Sequence, residues 1–105
     1  MQILELRAFN TVSGRKLLFD VMIVMRVKAE HEESVKQKIA DNKALITDRV
    51  GTIMRQSDPE KLGGGSEPGL ETFRRQVKYQ LEDILGPGIV DEVLVPRCIP
   101  YRADL

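Results

Sequence analysis

The stretch Lys16-Leu17-Leu18-Phe19-Asp20-Val21-Met22-Ile23-Val24-Met25-Arg26-Val27-Lys28 decides the reading of this chain. Leu17, Phe19, Val21, Ile23, Met25 and Val27 recur with a period of two, so an extended strand puts all six on one face. The opposite face holds Leu18, Asp20, Met22, Val24, Arg26 and Lys28: polar at its ends, apolar in its middle. Gln2 to Val12 shows the same period more weakly, with Leu4, Leu6 and Ala8 alternating with Glu5, Arg7 and Phe9. Ser13-Gly14-Arg15 between the two is short and turn-like, which makes them an antiparallel hairpin.

Beyond Lys28 the period changes. Val35, Ile39, Ile46, Val50 and Ile53 fall at helical spacing, and Leu45 and Met54 widen the stripe. This predicts one helix from about Glu30 to Gln56. Glu30, Glu32 and Glu33 lie at its positive end, Arg55 at its negative end, and Ser57-Asp58-Pro59 stops it. Gly51 inside it marks either a close backbone approach or an early break. Residues 57–69 read as a loop, made flexible by Gly63-Gly64-Gly65-Ser66. A second helix opens at Pro68 and carries Leu70, Phe73, Val77, Leu81 and Ile84 on one stripe. Gly86-Pro87 ends it. A last strand runs from Ile89 to about Ile99, and Pro96 and Pro100 confine its later half to a sheet edge or outside the sheet. The order β-β-α-α-β predicts an α+β two-layer sandwich, an antiparallel-rich sheet with two helices on one face, in one domain spanning 1–105. Phe19, Val21, Ile23, Ile39, Ile46, Val77, Leu81 and Val93 are the expected core.

Composition excludes several function classes. The chain has 105 residues, with 16 Lys plus Arg balanced by 16 Asp plus Glu and a formal net charge of +0. That is not the basic footprint of a nucleic-acid binder. One Cys and one His leave a zinc site short of ligands, so no metal and no cofactor is expected. No apolar run approaches the roughly 20 residues of a membrane span, and Glu5 and Arg7 interrupt any signal-like start. His31 sits among carboxylates at a solvated helix start, with no nucleophile at a defined spacing, and reads as a surface histidine. Cys98 beside Arg97 reads as a small buried hydrophobe rather than a reactive thiol. The triple glycine follows a helix and lacks the Gly-Lys-Ser/Thr ending of a phosphate loop. Asp91 and Glu92, adjacent on a strand, point apart and cannot act as a close acid/base pair. No set of polar residues converges, so catalytic residues are expected to be absent. Arg74, Arg75 and Lys78 cluster on the second helix, with Glu71 and Glu82 four residues from Arg75 and Lys78; a salt-bridged solvated face or a partner patch both fit.

The C-terminal third carries a resemblance. A helix ending in Ile84-Leu85-Gly86, then Gly88-Ile89-Val90 and Val93-Leu94-Val95, resembles the end of the flagellar basal body-associated FliL family domain. Lys16 to Lys28 resembles that family's long strand, Glu30 to Gln56 its following helix, and Glu67-Pro68-Gly69 with Phe73-Arg74 the stretch that opens its next helix. The resemblance covers about residues 15–96; the family's closing strand often ends in aromatic residues and Gln, where this chain has Pro96-Arg97-Cys98-Ile99-Pro100-Tyr101. It implies a stomatin-like fold and a non-enzymatic structural or regulatory module on the periplasmic side of the bacterial inner membrane. It also implies a membrane tether outside this chain, flagellar stator proteins as partners, and assembly as a homo-oligomer. A small soluble, cytoplasmic α+β ligand-binding or regulatory domain, unrelated to flagella, is the alternative. The expected interface residues are Leu18, Met22 and Val24 on the second strand, which Ile3, Phe9, Val90 or Leu94 can join depending on register, together with Arg74, Arg75 and Lys78.

Overall fold

A computed structural model describes residues 2–11, 14, 16–57 and 69–102. Strand β1 (Gln2–Asn10) and strand β2 (Leu17–Val27) form the expected antiparallel hairpin, closed by the pair Asn10 and Leu17. In the connection Gly14 takes φ +81°, a conformation that favours glycine, and its N–H donates to the carbonyl of Thr11 at 3.0 Å. Strand β3 (Val90–Arg102) pairs antiparallel with the other side of β2, giving the order β1-β2-β3. β3 is therefore an edge strand, as its prolines require, and it continues through Pro100, which stands opposite Phe19.

Two irregularities in β3 decide which residues share a face. Met22 pairs with Arg97 and Val24 with Leu94, so both Val95 and Pro96 stand opposite Ile23, a bulge at the residue that has no amide to donate. A second shift leaves Asp91 as the extra residue between the pairs Arg26–Glu92 and Val27–Val90. Each extra residue reverses the alternation. Val90 and Val93 both turn into the core, and Leu94 and Arg97 both turn away from it.

The helical layer differs from expectation in one respect. A 3-10 turn at Ala29–His31 leads into α1 (Glu32–Asp41), and a separate helix α2 (Lys43–Gln56) follows, where the periodicity predicted one helix. The break is at Asn42, with φ −117° and ψ 21°. Its side-chain amide donates to the carbonyl of Lys38 at 2.8 Å, an acceptor it shares with its own backbone N–H at 3.0 Å. Its own carbonyl accepts from Ile46 at 2.9 Å and so starts α2. Gly51 is neither a break nor a close approach among the described residues, since an added Cβ meets only the end of the Arg55 side chain, at 3.4 Å. Helix α3 (Gly69–Leu85) ends as Gly86-Pro87 predicts: Gly86 adopts φ +113° and its N–H donates to the carbonyl of Glu82 at 2.8 Å. The expected flexible stretch Gly63–Ser66 lies outside the described residues.

α2 lies against β1 and α3 against β3, side by side on one face of the sheet. All eight expected core residues are buried, joined by Leu4, Met25, Val35, Val50, Met54, Phe73 and Leu85 among others. Arg49 fastens the two helices, donating to Asp83 Oδ2 at 2.6 Å and Gln80 Oε1 at 3.2 Å. Lys38 of α1 donates to the carbonyl of Leu85 at 3.1 Å, satisfying an end group of α3.

Candidate interaction surface

Among the described residues Asn10, at the end of β1, is the polar residue most deeply placed, with 1% of its surface exposed. Its amide donates to the carbonyls of Met54 at 2.7 Å and Ser57 at 2.8 Å, and more weakly to that of Arg55 at 3.4 Å. These include end carbonyls of α2 that have no partner within the helix. Asn10 thus locks the hairpin to α2 and fixes the sheet against the helical layer. A strand ending in Asn before a turn gave no hint of this role.

The other face of the sheet has no helix on it among the described residues. From β2 it presents Leu18, Asp20, Met22, Val24 and Arg26; the three apolar residues are half-buried by their neighbours in the sheet. From β1 it presents Glu5, Arg7 and Phe9, with Phe9 45% exposed and Lys16 stacked 4.5 Å from the centre of its ring. From β3 it presents Leu94, Arg97, Ile99 and Tyr101, the last 51% exposed. Leu18 lies between Phe9 and Tyr101, and Val24 pairs with Leu94. The face therefore has an apolar cluster at each end. Between them Arg97 reaches across the sheet to the carboxylates of Glu5 and, at 3.2 Å, Asp20, tying all three strands together. Arg26 and Glu92, 3.3 Å apart, close one end.

Of the apolar residues expected to join Leu18, Met22 and Val24, Phe9 and Leu94 do so, and Val90 does not, because the Asp91 irregularity turns it inward. The side chain of Ile3 lies outside the described residues. Ile99 and Tyr101 were not expected on this face. Only the bulge at Pro96 and the length of β3 put them there in register with Leu94, and neither can be counted from alternation alone.

Arg74, Arg75 and Lys78 are not part of this face. They lie on α3 and border a shallow groove with Asp91 and Glu92. Arg75 pairs with Glu71 at 3.3 Å and Lys78 with Glu82 at 4.0 Å, as the four-residue spacing predicts, and Lys78 donates to the carbonyl of Asp91 at 3.4 Å. These exposed pairs are worth a few tenths of a kcal/mol each, about 0.3–0.5.

Cys98 stands opposite Val21 and packs against the core, and burial pushes its thiol up to about 11 from 9.0. The thiolate needed for nucleophilic or metal chemistry is thereby disfavoured. His31 sits in the 3-10 turn beyond β2, with Nε2 3.6 Å from Glu30. Among the described residues no three His, Cys, Asp or Glu side chains group as metal ligands, and no helix is long and apolar enough to cross a membrane. Comparison of the chain with family models gives no match, and comparison with curated proteins gives none either.

Proposed function

We propose that this chain is a non-enzymatic interaction domain of the FliL type, acting on the periplasmic side of the bacterial inner membrane. A membrane-spanning segment outside residues 1–105 holds it there, and it supports the flagellar motor by meeting stator units and further copies of itself. The observation that carries this reading is the open sheet face. Phe9, Leu18, Met22, Val24, Leu94, Ile99 and Tyr101 share it, where a solvated antiparallel sheet shows polar residues. Apolar residues gathered on one face that no other described residues cover mark an interaction site rather than scattered surface variation. The order of elements adds support, since the long strand, the helical segments, the glycine turn and the closing strand follow the order that the resemblance implies.

In this mechanism the domain is a rigid platform. The Asn10 lock ties the sheet to the buried helical layer, and the Arg97 network spans the three strands in the middle of the contact surface. A stator surface that covers the two apolar clusters removes them from water, the main favourable term in such association. The charged centre fixes orientation, because a misplaced partner would strand Arg97, Glu5 or Asp20 without water or counter-charge.

The test uses the double substitution Met22→Glu, Val24→Glu in the purified chain. Both side chains are only half-buried, so the circular dichroism spectrum should be retained while binding to a purified stator unit is lost. The same change should reduce swimming in cells that carry it. Unchanged binding and unchanged swimming with the variant would refute the proposal.

A further inference from the structure

The two edges of the sheet are built differently. β3 is protected as an edge: Pro96 and Pro100 lack donors, and two bulges interrupt the strand. β1 has no proline, its one irregularity lies at its start between Gln2 and Leu4, and among the described residues nothing pairs with its outer side. Natural sheets rarely leave such an edge without a device against pairing. Among the described residues the space beside it is also open. Ala44, Thr47 and Gly51 on α2, with Leu6 and Ala8 on β1, line a groove of about 550 Å³ along this edge.

Among the registers centred on the middle of β1, charge pairing favours one, and its self-complementarity points to a second copy of this chain. Two copies that pair antiparallel about a two-fold axis, with their helices on the same side of one continuous sheet, must place a residue opposite its own copy. Centring on Glu5 opposes Glu5 to Glu5, and centring on Arg7 opposes Arg7 to Arg7, both like-charge pairs. Centring on Leu6 opposes Glu5 to the partner's Arg7 and Arg7 to the partner's Glu5. It also sets Leu4 against the partner's Ala8 and Leu6 against the partner's Leu6, on the side of the groove. Glu5 and Arg7 both lie on the open face and are exposed. The carboxylate of Glu5, already in contact with Arg97, has a second oxygen able to accept from another guanidinium.

We propose that a second copy of this chain adds to the β1 edge in the register centred on Leu6, forming a six-stranded sheet with two Glu5–Arg7 pairs across the seam. This dimer rests on the self-association in the reading above and gives it a surface; the open faces of both copies remain free in it, so the stator contact stands or falls separately.

The register gives a direct experiment. In a Cys98→Ser background, Leu6→Cys brings two thiols onto directly opposite residues, with Cα atoms about 4.5–5.5 Å apart, within disulfide reach. Phe9→Cys in the same background puts the two thiols six positions apart in register, about 20 Å. Mild oxidation of the purified chains, read on a non-reducing gel, should therefore cross-link the Leu6→Cys protein and leave the Phe9→Cys protein monomeric. In sedimentation, Arg7→Glu should weaken the wild-type dimer by roughly tenfold, since both seam pairs become like-charged. Arg7 is exposed, so this variant keeps its fold. A strictly monomeric wild-type chain at high concentration would overturn the proposal, as would equal cross-linking at positions 6 and 9 or dimerisation insensitive to Arg7→Glu.

Discussion

Replacing Asn10 should weaken the molecule more than its modest size suggests. Its amide makes two short hydrogen bonds, 2.7 Å to Met54 and 2.8 Å to Ser57, and has 1% exposure. Each such bond contributes about 0.5–1.5 kcal/mol net, and a carbonyl left buried without a donor costs about 1–3 kcal/mol. Asn10→Ala removes both bonds and allows only partial rehydration of the carbonyls, so the expected loss is about 2–4 kcal/mol. Asn10→Asp separates donor chemistry from packing. It preserves the shape but aims oxygen at the same carbonyl oxygens, which raises the carboxyl pKa in the folded state. The sign follows: the folded form of this variant binds the proton more tightly than the unfolded chain does. Its stability relative to wild type is therefore highest below the unfolded carboxyl pKa of about 3.9, and falls as pH rises towards the folded value. Urea denaturation followed by circular dichroism, with wild type measured at each pH, gives both quantities. A cost below about 0.5 kcal/mol for Asn10→Ala, or an Asn10→Asp penalty that shrinks as pH rises, would refute the assigned role.

Four other substitutions and the reactivity of one thiol have definite expectations. Leu81→Ala or Ile46→Ala opens a cavity at a fully buried site and should cost about 2–5 kcal/mol in the same denaturation assay. Gly86→Ala should cost about 1–2 kcal/mol, because its φ of +113° is closed to a side chain while the nearest contact, 3.7 Å to Ile89, is ordinary; Gly51→Ala, in regular helix, should be neutral or stabilising by up to about 1 kcal/mol. With its thiol pushed up to about 11, Cys98 in the native chain should react with a thiol reagent at pH 7.5 roughly 100-fold more slowly than in the unfolded chain.

The hairpin, the α3 stripe, the Gly86-Pro87 stop and the edge position of β3 were legible because each is encoded locally, by a period or by a residue with a restricted backbone. The division between α1 and α2 was not. The apolar stripe runs unbroken from Ile39 to Ile46, and the interruption falls at Asn42, a residue tolerated within helices, whose side chain and backbone N–H both donate to Lys38. The composition of the open face was half legible. Leu18, Met22 and Val24 follow from alternation within β2, whereas Leu94, Ile99 and Tyr101 depend on the two shifts in β3, and a single extra residue reverses every side chain beyond it. The Asn10 lock joins residues more than forty positions apart, beyond the reach of any local pattern.

The central claim, that the open sheet face receives the partner, is tested most directly by solvent protection. In a Cys98→Ser background, a single cysteine is placed at Ile99 on the open face, or at Tyr79, which is 72% exposed on α3. The alkylation rate of each is measured with and without a saturating purified stator unit. Burial of the open face predicts that the cysteine at position 99 is slowed at least tenfold while the one at position 79 is unaffected. An unchanged rate at position 99 together with protection at position 79 would contradict the account and move the contact to the helical layer.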